Sequence, residues 1–336
     1  MSNILCTGSA GFIGSHLADE LISKGHRVLV MDDLSGGYRE NVPDKAVFCP
    51  GSILDVALIE KLFHAYRFDY VCHLGAYAAE GLSHFIKNFN YQNNLIGSIN
   101  LINASVNHGV KCFLFTSSMA VYGSGQVPFR EDMNPEPEDS YGIAKLTVER
   151  ELAITKRMFG MDYIVFRPHN VYGERQNIAD KYRNVVGIFM NQLLKGEPMR
   201  IFGDGEQKRA FTYISDVIYY MAYALTDKRM YNQVFNVGAE TPYTINELSV
   251  MVANAMGVFP QVEYLKTRDE VRLAYCDHEK IKSYGVSILP TPLKVGINAM
   301  AKWVKSHGAR ESKPFENIEI EKNLPPSWVK AKATFV

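Results

Sequence analysis

Tyr141 and Lys145 are the residues whose types and spacing most directly suggest chemistry in this sequence. They stand four positions apart at the start of a helical run, so both would lie on one helix face. A tyrosine hydroxyl has a pKa of about 10, too high for a base at neutral pH, but a nearby ammonium group favours the phenolate. Such a pair alone is common. Ser118, at the end of a predicted strand, makes a proton-transfer site at a hydroxyl group the better interpretation.

Three glycines, Gly8, Gly11 and Gly14, punctuate the segment TGSAGFIG at residues 7–14. Glycine permits a tight turn between a strand and a helix, and it lets backbone N–H groups approach a pyrophosphate at the helix N-terminus. The spacing is GxxGxxG, not the GxGxxG of the common dinucleotide fingerprint. Asp32 closes the next predicted strand, where a carboxylate would bind ribose hydroxyls. Asp32 and the adjacent Asp33 would repel a 2′-phosphate, so the pattern favours NAD over NADP.

The elements that must position these residues alternate between strands and helices in the first half of the chain. Short apolar runs predict strands, and apolar residues recurring every three or four positions predict a long helix over residues 91–106. The predicted strands are residues 3–7, 26–32, 46–49, 70–74, 112–118 and 162–167. This alternation produces parallel βαβ units, so the sequence predicts an α/β fold with a Rossmann-type, doubly wound parallel sheet.

The alternation weakens after residue 168, which predicts a smaller, less regular C-terminal substrate-binding part. The polar residues 174–183 are predicted to form a loop, and short strands at 199–202 and 234–237 mix with helices at 244–256 and 293–306. We predict an NAD-binding domain over residues 1–167 and a mainly substrate-binding part over 168–310, some segments of which return to the first domain. Residues 311–336 are polar and proline-containing, which predicts an extended C-terminal arm.

Composition excludes several classes of protein. The 336 residues carry 36 basic and 36 acidic side chains, so no overall positive field would attract nucleic acid or a membrane surface. No apolar run reaches the roughly 18 residues that span a bilayer, and the N-terminus lacks the features of a signal peptide. The five cysteines are odd in number and widely spaced, which favours reduced thiols in the cytoplasm. The histidines lack metal-site spacing, so no metal is expected.

Five motifs follow one another along the chain: TGSAGFIG (7–14), TSSMAVYG (116–123), YGIAK (141–145), RPHNVYG (167–173) and GDGEQKRAFTYISD (203–216). In this order they resemble the extended short-chain dehydrogenase/reductases that act on nucleotide sugars, and most closely the UDP-glucose 4-epimerases. The likeness spans about residues 3 to 306. It implies NAD-dependent epimerisation at C4 of a UDP-hexose. Ser118 would share a proton with the sugar O4, Tyr141 would be the base, and Lys145 would hold the nicotinamide ribose and tune Tyr141.

The same resemblance implies two sets of binding residues. Asn94 would fix the neighbourhood of the serine strand and the cofactor, Asn170 would touch the substrate diphosphate, and Arg209 and Arg268 would pair with that diphosphate. The implied cofactor set is Gly8, Gly11, Phe12, Ile13, Gly14, Asp32, Ser52, Ile53, Leu74, Asn94, Tyr141, Lys145 and Pro168. The implied substrate set is Ser118, Tyr141, Asn170, Val185, Arg209 and Arg268.

Three positions depart from the pattern of the family. Ser52 stands where an aspartate usually meets the adenine, Ala210 replaces a common aspartate, and Ala78 stands where some epimerases carry a lysine near the nicotinamide and phosphate. These departures concern cofactor affinity and rate. The helices resembling 89–109 and 141–159 pack in the family as a dimeric four-helix bundle, so a homodimer is expected.

Two other functions remain open at this point. A sugar 4,6-dehydratase has an Asp-Glu pair after the catalytic serine or threonine, and a decarboxylase usually keeps a glutamate there, whereas this chain has Met119 and Ala120. A regulator that senses NAD(H) without chemistry is the second alternative. Such a regulator would not need to keep Ser118, Tyr141 and Lys145 together.

The run after RPHNVYG is expected to line the sugar pocket. In neutral-hexose epimerases it resembles Tyr-Ser-Gly-Val, and here it reads Tyr182, Arg183, Asn184, Val185. Glucuronate 4-epimerases tend to have Arg-Pro-Asp-Met-Ala, with an arginine for the carboxylate; this chain has Arg175 and Arg183 but not that run. The larger Asn184 would crowd an N-acetyl group. The resemblance therefore implies UDP-glucose and UDP-galactose as substrates.

Overall fold

The computed structural model describes residues 1–125, 127–267, 272–285, 288–312 and 315–328. Its strands are β1 (Asn3–Thr7), β2 (Arg27–Asp32), β3 (Val47–Pro50), β4 (Tyr70–His73), β5 (Cys112–Thr116), β6 (Asp162–Pro168), β7 (Val171–Tyr172), β8 (Met199–Phe202), β9 (Lys208–Ala210), β10 (Thr212–Tyr213), β11 (Gln233–Val237), β12 (Pro242–Thr244), β13 (Val262–Leu265) and β14 (Leu273–Ala274). Its α-helices are α1 (Phe12–Ser23), α2 (Val56–Tyr66), α3 (Glu80–Ser83), α4 (Lys87–Tyr91), α5 (Gly97–Asn107), α6 (Ser140–Phe159), α7 (Val185–Leu194), α8 (Ile214–Ala224), α9 (Ile245–Met256), α10 (Glu279–Ser283) and α11 (Leu293–His307).

The main sheet has the strand order β11-β6-β5-β4-β1-β2-β3. Every pairing in it is parallel, which confirms the predicted doubly wound fold. The chain builds outward from β1 in one direction through β2 and β3, and in the other direction from β4 onward. The reversal lies between β1 and β4, and a crevice at the carboxyl ends of the strands is the usual ligand site at such a point.

Helices cover both faces of the main sheet, which explains why its strands are apolar throughout. On one face Leu17 of α1 and Met221 of α8 pack against the strands, and on the other Phe63 of α2, Leu101 of α5 and Val148 of α6 do so. Helix α6 carries the Tyr-x-x-x-Lys pair. It begins where the Asp139 side chain accepts a hydrogen bond from the N–H of Gly142 (2.8 Å), and it ends at Gly160 in a left-handed conformation.

One element is placed more exactly than the sequence allowed, and another differs from the expectation. Residues 234–237, predicted as a strand after residue 168, belong to β11 at the edge of the main sheet, where Phe235 is opposite Phe166 of β6. This buried apolar strand covers an edge that would otherwise expose unpaired backbone groups. The helix predicted over 91–106 is interrupted by a π-helical turn (Gln92–Ile96) between α4 and α5. Such turns are frequent at functional sites.

The smaller part packs α7, α9 and α11 around a core of its own, which includes Phe189, Val252 and Ile297. The described part of the C-terminal arm returns to the loop after β4. There Trp328 is buried with Ala79, Leu82 and Ile86. Across the described residues, no helix combines the length and the apolar character needed to cross a membrane.

Candidate functional site

A continuous cleft with a cavity volume of about 2440 Å³ lies at the carboxyl ends of the main strands. Its walls come from the glycine turn after β1, the loops after β2 and β4, the start of α6, the smaller part and the arm. Several predicted cofactor residues line it: Gly8, Gly11, Phe12, Ile13, Gly14, Asp32, Ile53, Leu74, Tyr141, Lys145 and Pro168. The predicted substrate residues Ser118, Asn170, Val185 and Arg209 line the same cleft.

The glycine turn requires glycine for steric reasons. Gly8 has φ of 70°, and a Cβ there would lie 2.5 Å from the Cα of Gly75. A Cβ on Gly14 would lie 2.5 Å from the carbonyl oxygen of Gly8. Helix α1 has Gly11 as its N-cap, without a side-chain cap hydrogen bond and without an acidic residue in its first turn. The N-terminal N–H groups of α1 and the positive end of its dipole therefore face the cleft, which fits a dinucleotide pyrophosphate.

Asp32 is fixed beside this turn. Its carboxylate is 8% exposed and accepts hydrogen bonds from the N–H groups of Ala10 (3.0 Å) and Leu34 (2.8 Å). Burial raises the pKa of Asp32, and the backbone hydrogen bonds oppose that rise. The carboxylate is thus oriented at the edge of the cleft where a dinucleotide's adenosine ribose would lie, which suits the role expected for it.

Ser118, Tyr141 and Lys145 come together on one side of the cleft. Ser118 follows β5, its Oγ accepts a hydrogen bond from the N–H of Ala120 (3.1 Å), and it lines the cleft together with Tyr141. The Nζ of Lys145 donates to the carbonyl oxygen of Thr116 (2.7 Å) and lies 5.7 Å from the centroid of the Tyr141 ring. A hydroxyl group, a phenol and an amine thus lie within one small region of the cleft.

The pKa of Tyr141 differs in direction from the sequence expectation. Burial raises the pKa of Tyr141 above its usual value, and the Glu80 carboxylate raises it further, whereas the nearby Ser118 hydroxyl group lowers it. Burial also lowers the pKa of Lys145 to about 7, against the effect of the Glu149 carboxylate. Both shifts follow from removing the charged forms from water. The expected favouring of the phenolate by Lys145 is therefore opposed by desolvation.

A buried ion pair lies behind this group and was missed at the sequence level. Arg167 of β6 donates to both carboxylate oxygens of Glu149, with Nε–Oε1 at 3.0 Å and Nη2–Oε2 at 2.5 Å. Ser117 also donates to Oε1 of Glu149 (2.5 Å), and Arg167 donates to the Tyr122 hydroxyl (2.7 Å). Glu149 lies four residues after Lys145, so the spacing places both on one face of α6. Its partner Arg167 lies on β6, and no spacing in the sequence relates the two residues.

Asn94 acts on the backbone rather than on the cleft itself. Its Oδ1 accepts from the N–H of Tyr77 (2.8 Å), and its Nδ2 donates to the Tyr77 carbonyl (3.1 Å) and to Asn90 Oδ1 (2.7 Å). Asn90 in turn donates to the carbonyl of Ser140 (2.8 Å). The π-helical turn thus ties the loop after β4 to the start of α6. Asn94 is placed to fix the loop after β4 rather than the serine strand.

The remaining predicted residues differ in placement. Ser52 does not line the cleft, although its neighbours Gly51 and Ile53 do. Its hydroxyl oxygen accepts a hydrogen bond from the N–H of Leu54 (3.2 Å). Asn170 has φ of 40° and donates to the carbonyl of Ala210 (3.1 Å). Arg209 donates to the carbonyl of Lys208 (2.9 Å). Arg268 lies outside the described residues.

Comparison with known proteins agrees with this geometry. Residues 4–238 match the model of the NAD dependent epimerase/dehydratase family. A UDP-glucose 4-epimerase of Mycolicibacterium smegmatis is 34% identical over 77% of this chain and 84% of its own. A UDP-N-acetyl-alpha-D-glucosaminuronate decarboxylase of Bacillus cytotoxicus is 30% identical over 85% of this chain and 87% of its own. The crystal structure of a Thermotoga maritima UDP-glucose 4-epimerase with UDP-glucose has a TM-score of 0.86 at 36% identity, covering 91% of this chain and 99% of that one.

Proposed function

Because the chain belongs to the NAD-dependent epimerase/dehydratase family, we propose that it epimerises C4 of a UDP-hexose, interconverting UDP-glucose and UDP-galactose. The observation that carries the proposal is the convergence of Ser118, Tyr141 and Lys145 on the cleft that holds the glycine turn. When bound, NAD supplies the acceptor for the C4 hydride and, once reduced, the donor that returns it. The cycle is redox-neutral, so no external oxidant or reductant is needed.

Proton transfer at O4 is the part of the reaction that falls to this chain. As C4 loses its hydride, Tyr141 takes the O4 proton and a C4–O4 double bond forms; the proton returns when the hydride adds to the opposite face of the sugar. Ser118 shares the hydrogen bond to O4. Lys145, whose Nζ lies 5.7 Å from the centroid of the Tyr141 ring, is assigned to stabilise the phenolate form of Tyr141 when the amine is protonated.

Three other residues of the cleft are assigned to the diphosphate and the sugar of the substrate. Asn170 and Arg209 line the cleft on the side of the smaller part, and we assign both to the diphosphate. Arginine suits this role because its guanidinium group can donate two parallel hydrogen bonds to phosphate oxygens. Val185, at the start of α7, is assigned to the sugar pocket.

A decarboxylase or dehydratase is the second candidate, since a decarboxylase is among the relatives. Dehydratases of the family have an Asp-Glu pair directly after the catalytic serine or threonine and decarboxylases usually keep a glutamate there, whereas neither Met119 nor Ala120 can carry a proton. Incubation with UDP-glucose, UDP-N-acetylglucosamine and UDP-glucuronate, followed by product identification, separates the three reactions. A 4-epimer as sole product supports the proposal. Loss of water or carbon dioxide contradicts it, and so does binding of NAD(H) without any product.

Asn184 is expected to limit the size of the sugar. Its Oδ1 accepts from the N–H of Val186 (3.0 Å) and its Nδ2 donates to the carbonyl of Val171, so the side chain is held at the cleft wall. N-acetylated sugars should therefore be poorer substrates by about tenfold in kcat/KM, or about 1.4 kcal/mol in transition-state binding. Kinetics with UDP-galactose, UDP-N-acetylgalactosamine and UDP-galacturonate measure this preference.

The matched variant is Asn184→Ser, which shortens the side chain but keeps an oxygen that can cap α7. This variant should reduce the difference in kcat/KM between UDP-galactose and UDP-N-acetylgalactosamine. A wild-type preference for the N-acetylated or the acidic sugar would reject this pocket assignment while leaving the epimerase mechanism in place.

A homodimer is expected to form through α5 and α6. Ile143 and Ile154 lie three helical turns apart on one face of α6, and they are 41% and 42% exposed. Ile96, beside α5, is 42% exposed. Sedimentation should give about twice the chain mass of 37.9 kDa, and Ile143→Glu with Ile154→Glu should reduce it to one chain. Val250→Glu, at an exposed site on α9, is the control; a wild-type monomer would refute the dimer.

A further inference from the structure

Arg183 reaches across the cleft from the loop that precedes α7. Its guanidinium carbon lies 4.5 Å from the centroid of the Tyr77 ring, in the loop after β4. Its Nη2 lies 3.2 Å from the position that a Cβ on Gly36 would take, in the loop after β2. Strand β1, which carries the glycine turn, lies between β2 and β4 in the sheet. The guanidinium group therefore spans the two loops that flank the glycine turn.

The loop after β2 is itself pressed against the glycine turn. A Cβ on Gly37 would lie 2.4 Å from the carbonyl of Ala10, and the N–H of Tyr38 donates to that same carbonyl (2.9 Å). Arg183 thus lies beside the part of the cleft where the N-terminus of α1 opens. A ligand bound at the N-terminus of α1 would therefore lie within reach of the terminal N–H groups of the Arg183 guanidinium.

Neighbouring groups hold Arg183 in this orientation. The Nε of Arg183 is 2.8 Å from Oδ2 of Asp180. Its guanidinium group packs on the ring of Tyr77, and the Asn94 side chain holds the backbone of Tyr77 through both the N–H and the carbonyl group. The preceding residue, Tyr182, accepts a hydrogen bond from the N–H of Phe315 (3.1 Å) and packs edge-on against Trp328. The arginine is therefore preorganised, which reduces the entropy lost when it binds a ligand.

The charges near the glycine turn favour an anionic ligand for Arg183. A dinucleotide pyrophosphate carries two negative charges, while the glycine turn offers only N–H dipoles and the adjacent Asp32 is itself acidic. The loop after β4 has Ala78 at the position where a lysine stands in some relatives. We propose that Arg183 binds the pyrophosphate of the dinucleotide and supplies the cation that this loop lacks. This inference rests on dinucleotide binding and not on the identity of the sugar.

Nucleotide binding without turnover tests the assignment. Calorimetric titration of nucleotide-free protein with ADP-ribose should show Arg183→Gln binding about 10- to 100-fold more weakly than wild type, the range of one charge-assisted hydrogen bond. Arg183→Lys should recover part of the affinity. Salt should weaken binding to the glutamine variant less steeply, because one charge contact is gone. The matched control is Lys181→Gln, which removes a charge from the same loop at a residue outside the cleft lining and should bind within twofold of wild type.

Two further ligands make the result specific. Adenosine, which has no phosphate, should bind all four proteins equally. An unchanged ADP-ribose affinity in Arg183→Gln overturns the proposal, and so does an equal loss for adenosine, which would show a structural role only. If Arg183→Gln instead weakens UDP-galacturonate alone, the arginine serves a sugar carboxylate. None of these outcomes depends on whether the protein is an epimerase.

Discussion

Replacing Tyr141 with phenylalanine is expected to lower kcat by about 10²- to 10⁴-fold, the usual contribution of a general acid–base group. The phenol oxygen is the atom proposed to take and return the O4 proton, and phenylalanine removes it alone. Tyr141 is 5% exposed and surrounded by packed side chains, so the ring should stay in place. The variant should still bind NAD. Initial rates with UDP-galactose measure kcat, and the dinucleotide content of the denatured protein measures the bound cofactor.

The control is Tyr182→Phe, which removes a hydroxyl group from the same cleft. That hydroxyl accepts a hydrogen bond from the backbone of Phe315 and has no proposed part in proton transfer. Its loss should change kcat by only a few-fold. A Tyr141→Phe enzyme within a few-fold of wild type would show that the base lies elsewhere. A Tyr141→Phe protein without bound NAD would mean that the variant disturbs the cofactor site.

Arg167→Met is expected to lower the free energy of unfolding by about 3–5 kcal/mol, because it leaves the Glu149 carboxylate buried without its partner. Both side chains are almost fully buried, at 4% and 5% exposed. Ser117 would remain as a donor to that carboxylate, but a single hydroxyl cannot balance the charge. Urea denaturation of wild type and variant measures the difference.

A double variant separates the ion pair from general packing. Arg167→Met combined with Glu149→Met removes both charges and keeps apolar volume, so it should recover much of the lost stability. If the single and double variants are equally unstable, the loss arises from packing rather than from an unpaired charge. A single variant within about 1 kcal/mol of wild type would mean that water or another group satisfies the carboxylate.

Local patterns predicted the parts of the site that depend on neighbours in sequence. The glycine turn is a strand–turn–helix signal within a dozen residues, and Tyr141 and Lys145 share a helix face whatever surrounds that helix. Ser118 could be placed because a strand end is visible as the limit of an apolar run. All of these residues line one cleft because parallel strands bring their carboxyl ends to one edge of the sheet.

Long-range pairing and burial account for what the sequence did not reveal. The apolar pattern of β11 suits any buried strand, and only its pairing with β6 places it in the main sheet. The Glu149–Arg167 pair joins a helix to a strand, so the position of neither residue in the sequence predicts that the two are in contact. The raised pKa of Tyr141 results from burial, which depends on the complete fold. The reach of Arg183 depends on a loop whose course has no periodicity.

The position of β11 bears on how this protein could be recombined with its relatives. The chain leaves the main sheet after β6, builds part of the smaller lobe, and returns through α8 and β11 before leaving again. A chimaera with one junction near residue 168 would therefore take its edge strand and one covering helix from the wrong parent. An exchange of sugar specificity should be designed with two inserted segments, one on each side of α8 and β11, so that the hydrophobic core is inherited whole.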